Sequence, residues 1–248
     1  MIPENYIGIT FAISASILWS ITVVTIKPIT NQVSPFLINP IKNSIGFFLF
    51  FISFILFDIP LWYHDLLPNE YFIILFSGTL GMFLGDTIFI YALNKIGANR
   101  VAIVDAFSPV VIFIYCLILL PDQSLNFVQI IGFVLTIIGL LILKNENDFD
   151  DIDSTVKIKG ILMVLGAMLC TGFGVVYLKT VLNRINETGY DIKINLWITA
   201  FRLIPGVIFS WILFLLQKNK LEKINPLLEK QNLIPLIIAS IIGPFIAL

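Results

Sequence analysis

Four charged side chains fall inside long apolar stretches of this sequence, Asp86, Lys42, Arg202 and Asp105, and the first three are the residues best placed to do chemistry. Asp86 sits in the middle of the run Tyr71–Leu93, too deep to reach a headgroup layer easily. A carboxylate there could bind a substrate amine, carry a coupling proton, or pair with a cation such as Lys42. Lys42 and Arg202 each lie about a turn and a half inside an apolar run, Leu37–Phe57 and Leu196–Leu216. Two readings apply to them: snorkelling towards the headgroups, or binding an anionic group. Trp19 could line a cavity, with packing or interfacial anchoring as its other reading. Tyr91 shares the run of Asp86 and joins Asp86, Lys42, Arg202 and Trp19 as a candidate binding residue.

Other chemistry finds little footing. The one histidine, His64, stands in a loop with Trp62, Tyr63 and Asp65. No H-x-x-x-D, no paired acidic motif within the apolar runs and no Ser/His/Asp arrangement stands out, so an intramembrane acyl or prenyl transferase is the weaker reading. The acidic cluster Asp148, Asp150, Asp151, Asp153 has no second cluster to make a diphosphate site, and reads as solvated linker. No catalytic residue, metal or cofactor is expected. Cys116 and Cys170 lie inside apolar runs and read as packing residues.

The elements that must position these residues follow from hydropathy. Apolar residues make up 58% of the 248-residue chain and charged residues 12%, with a mean hydropathy of +0.97. A water-facing surface needs about twice that charge. The net charge of −1 offers no basic footprint for nucleic acid. Eight apolar runs emerge: Ile7–Ile26, Leu37–Phe57, Tyr71–Leu93, Val101–Leu120, Phe127–Leu143, Gly160–Leu178, Leu196–Leu216 and Leu233–Leu248. Most approach the roughly 20 residues that a helix needs to span a bilayer. Strands are excluded because an open sheet edge in lipid leaves backbone groups unpaired, and the runs lack a barrel's alternation. The fold class is therefore an all-α integral membrane protein.

The runs repeat. A shift of 152 residues superimposes Gly8 on Gly160, Ala15 on Ala167, Lys27 on Lys179 and Asn31 on Asn183. A shift of 160 places Lys42 on Arg202 and Gly46 on Gly206, and a shift of 162 places Gly81 on Gly243 and Phe83 on Phe245. The expected organisation is a five-helix unit over 1–143, an acidic linker over 144–159 and a second unit over 160–248. An odd helix count inverts the second unit in the membrane. Two equal units would make ten helices, of which about eight are present, so the second copy reads as C-terminally incomplete. Lys27 and Lys179 are expected at helix C-termini, where positive charge is favourable. Asp105 is expected to cap or to sit at the interface near Arg100. Ser108-Pro109 and Pro205-Gly206 are expected kinks, and Gly81-x-x-x-Gly85, preceded by Gly78, a close helix approach.

The stretch from Leu84 to Val101, which contains Asp86, Tyr91-Ala92-Leu93 and Gly97-Ala98, runs on to Ser108-Pro109-Val110. It resembles the third-to-fourth helix region of EamA-type permeases of the drug/metabolite transporter superfamily. Trp19 through Lys27 is similar to the first helix of the same unit, and Lys42 stands where that family commonly has Arg. Where the family usually closes its fourth helix on Gly-Glu, this chain has Pro121-Asp122. The resemblance covers essentially the whole chain. It implies a ten-helix bundle with a central Pro in helix four, residing in the cell membrane. It also implies a carrier of amino acids, sugars, nucleotide conjugates or organic ions.

The expected function is a permease or exporter of a small metabolite working by alternating access, with the lipid bilayer and a small molecule as its partners. Proton or ion coupling and a homodimer stay open, as does a non-transporting membrane protein. Lys and Arg crowd the odd-numbered loops, which places the N-terminus outside by the positive-inside rule, whereas the resemblance implies a cytoplasmic N-terminus.

Overall fold

The computed structural model describes residues 4–64, 66–120, 126–144, 152–187 and 193–247. Regular structure among them is helical: α1 (Glu4–Thr30), α2 (Pro35–Leu56), α3 (Pro68–Gly78), α4 (Asp86–Asp105), α5 (Ser108–Leu119), α6 (Phe127–Lys144), α7 (Ser154–Glu187), α8 (Lys193–Leu215), α9 (Lys220–Ile224) and α10 (Lys230–Ile241). Two wider, π-helical segments interrupt the pattern. Thr79–Gly85 joins α3 to α4, and Ile242–Ile246 extends α10. Among the described residues, five stretches are long and apolar enough to cross a membrane: Gly8–Thr30, Pro35–Leu56, Pro68–Asp105, Ser154–Glu187 and Lys193–Leu215. Ser108–Leu119 and Lys230–Ile246 are apolar but shorter. Several helices of this length and composition in one chain suit an integral, multi-pass membrane protein.

Local chemistry explains where the helices stop and start. α4 breaks at Gly97, whose φ of 82° is comfortable only for glycine. Arg100, buried beside the break, donates from Nη1 to the Ile96 carbonyl at 3.1 Å and satisfies the helix end. The expected helix Val101–Leu120 with a central proline is instead split. α4 ends at Asp105 and α5 restarts at Ser108, leaving Pro109 in the first turn, where its missing N–H costs nothing. Asp105 is the last residue of α4, and its Oδ1 accepts the Ser108 hydroxyl at 2.9 Å, a side-chain bond across the break and not a cap on a backbone N–H. α7 starts at Ser154, inside the stretch expected as linker, because Asp153 accepts the Thr155 N–H at 2.8 Å. α7 also runs on to Glu187, since no Gly or Pro follows Lys179 within it. Lys179 is therefore not a helix-end residue, and the helix-terminus account holds for Lys27 alone. Pro121, Asp122, Asp148, Asp150 and Asp151 lie outside the described residues.

The chain forms two compact units, and each draws on both halves of the sequence. One comprises 1–64 with 191–248, the other 65–190. In the first unit α2 packs along α8, while α1 packs on α10 and its π-helical extension. The approach is close: a Cβ on Gly46 of α2 would stand 2.8 Å from the Cβ of Pro244. In the second unit α7 is the central helix and carries α3, the segment Thr79–Gly85, α4 and α5 on its flanks. At 34 residues it is about 51 Å long, well beyond a bilayer core of about 30 Å. The expected glycine approach occurs here, with Gly85 lying against Thr171 and the Ala167 carbonyl.

Candidate functional site

Lys42 and Arg202 reach the structure as buried cations in the first unit, 3% and 8% exposed, on the two helices α2 and α8 that pack along each other. The helices make a polar seam in an otherwise apolar contact. Asn39, Lys42 and Asn43 fall at i, i+3 and i+4, so they share one face of α2. Asn43 donates from Nδ2 to Asn39 Oδ1 at 3.2 Å, and Asn39 donates in turn to Ser210 Oγ of α8 at 3.1 Å. Closer to the helix centre, the indole N–H of Trp211 donates to Ser44 Oγ at 3.0 Å, and Ser44 donates to the Pro40 carbonyl at 2.7 Å. Pro205, inside α8, has no N–H to offer the Phe201 carbonyl. Side chains of this polarity are costly at membrane depth and mark functional paths more often than surface ones do.

Trp19, in the same unit, is half-buried on α1. Its helix is exposed along its N-terminal half, and only from Thr22 onward does it bury side chains against α10 and Ile242–Ile246.

Asp86 and Tyr91 belong to the second unit. Asp86 is half-buried and opens α4 directly after the π-helical segment, its N–H directed at the Gly81 and Phe83 carbonyls. The wider turn fixes the direction in which the carboxylate leaves the helix, and such bulges recur at functional positions. Tyr91 is half-buried, and the exposed Lys95 places its ammonium 5.4 Å from the centroid of the Tyr91 ring. His64 is exposed in its loop.

The two amides of this seam carry no charge and do not stand out in the sequence as Lys42 does. Asn39 and Asn43, four apart in an apolar run, are still a legible signal of a buried polar face. The second unit holds an ion pair that stands out no better. Glu70, at the third position of α3, accepts the Leu67 N–H at 2.8 Å and is clasped by both Nε and Nη2 of Arg184 near the end of α7. Neither residue lies in an apolar run, where hydropathy would make a charged side chain stand out.

The geometry is thus that of a helical membrane protein with a few buried polar and charged groups, and the comparisons agree with it. No curated protein and no solved structure matches the chain. The family model of the EamA-like transporters matches residues 6–144, more than half of the sequence, and the chain belongs to the EamA-like transporter family.

Proposed function

We propose that this protein is a permease for a small metabolite in the cell membrane, and that it works by alternating access between two inverted repeats. The observation that carries the reading is a correspondence between the two compact units. In one, α1 packs on α10 and the π-helical segment that follows it. In the other, α7 packs on α3 and the π-helical segment that follows it. By the sequence shifts, α7 is the counterpart of α1 and α10 that of α3, and the π-helical segments fall in register, Thr79–Gly85 moving to within a residue of Ile242–Ile246 at each end. Each repeat thus lends its first helix to the third helix of the other, so the two copies share one packing scheme.

Asp86, Lys42, Arg202, Trp19 and Tyr91 are the groups assigned to substrate or coupling ion on this reading. Lys42 and Arg202 fall on each other by the sequence shift and are buried on α2 and α8, helices that pack along each other, which suits an anionic substrate group. Asp86 suits an amine or a proton.

Counterflow in proteoliposomes tests the proposal, using labelled amino acids, sugars, nucleotide conjugates and organic ions in turn. Exchange of one class across the bilayer is expected. Turnover of a solute to a new product without exchange would replace the carrier by an enzyme.

A further inference from the structure

The repeat correspondence reaches down to a pair of side-chain contacts. At the shift of 152 that aligns the first helices, Gln32 falls on Arg184. At the shift of 162 that aligns the third helices, Glu70 falls on Asn232. Glu70 and Arg184 are bonded to each other in the second unit. Gln32 and Asn232 are bonded in the first: Asn232 donates from Nδ2 to Gln32 Oε1 at 2.8 Å. The surroundings agree as well. Glu70 and Asn232 are both buried third residues of their helices, following the extended caps Leu67 and Glu229. The neighbours Val33 and Ile185, one residue past the first-helix partners, are both buried.

We propose that Glu70–Arg184 and Asn232–Gln32 are one clasp made twice, on opposite sides of the bilayer, each tying the foot of a third helix to the end of the first helix of the other repeat. The proposal rests on the inverted repeat above, because an odd number of crossings is what separates the two clasps. Both are closed in this structure, as befits fasteners that keep each first-helix/third-helix pair together. The chemistry of the two is unequal. A bidentate guanidinium–carboxylate pair is stronger and more directional than an amide–amide bond, so one side of the membrane is held more firmly than the other.

Two measurements test this. In a background of Cys116→Ser and Cys170→Ser, Asn31→Cys and Asn183→Cys place single exposed thiols beside the clasps. A membrane-impermeant maleimide should label one only in right-side-out vesicles and the other only in inverted ones. Labelling of both from the same side overturns the placement of the clasps, and the inverted repeat with it. The second measurement is charge exchange, read as thermal stability in detergent. Gln32→Arg and Asn232→Glu should each lower Tm by more than about 2 °C, and the double variant should recover most of the loss. If Asn232→Glu does not fold, Glu70→Asn with Arg184→Gln reads the same coupling from the other clasp, the pair retaining more than the sum of its single losses. Losses that simply add overturn the clasp, while opposite-side labelling would leave the repeat standing.

Discussion

Gly46 of α2 faces the ring of Pro244 so closely that a Cβ added to the glycine would lie 2.8 Å from the proline Cβ and 2.9 Å from its Cγ. Neither partner can yield cheaply, since both belong to helical backbone and the proline ring has no rotamer to change. Gly46→Val should therefore destabilise the protein by about 1–3 kcal/mol, the range for overpacking a filled contact. A thermal shift in detergent reads it. An unchanged Tm would mean that α2 and the segment after α10 are free to part.

The seam between α2 and α8 predicts a coupling between Asn39 and Ser210. Asn39 is fully buried, with its Nδ2 on Ser210 Oγ and its Oδ1 receiving Asn43. Asn39→Leu strands both neighbours and should cost about 1–3 kcal/mol. Ser210→Ala added to it should cost little more than the single change, because the hydroxyl is already without its donor. Full additivity in a double-mutant cycle would show that the seam is not one network.

Lys42 and Arg202 predict opposite effects on stability and on flux. Replacing a buried ionic group by an apolar residue of similar size is often neutral or stabilising, whereas a binding group lost is function lost. Lys42→Met and Arg202→Met should keep Tm within a few degrees and abolish counterflow of the transported solute. Retained flux with a large drop in Tm would assign both residues to structure.

On the proposed carrier reading, which assigns the carboxylate's charge or proton to substrate or coupling ion, Asp86→Asn should insert and fold as the parent does and abolish transport. Asp86→Glu should retain part of the activity. Flux at the parental rate in Asp86→Asn would remove Asp86 from the site.

How much of this was legible beforehand can be read from particular residues. The helices were, because a run such as Leu37–Phe57 has no other way to satisfy its backbone in lipid, and α2 covers Pro35–Leu56. The break at Gly97 was legible, since a Gly-Ala turn between two apolar runs offers the one residue tolerant of φ at 82°. Ser108-Pro109 does mark an interruption, but as the start of a new helix, α4 ending at Asp105 and α5 restarting at Ser108, which a proline in an apolar run does not by itself distinguish from a kink. The polar seam was half legible, Lys42 and Arg202 standing out by charge while Asn39 and Asn43 did not.

The sequence by itself determined that this protein is a bundle of membrane helices of the EamA kind. The determinant is local: each run must bond its own backbone, and its apolar side chains must face lipid or one another. The tertiary structure decided which helices embrace. α7 gathers α3, α4 and α5, and α1 finds α10, because close approach depends on shape at single positions such as Gly85 against Thr171 and Gly46 against Pro244. It also decided that Glu70 meets Arg184 across 114 positions of chain, since hydropathy, which drives both helices into the membrane, does not choose their partners.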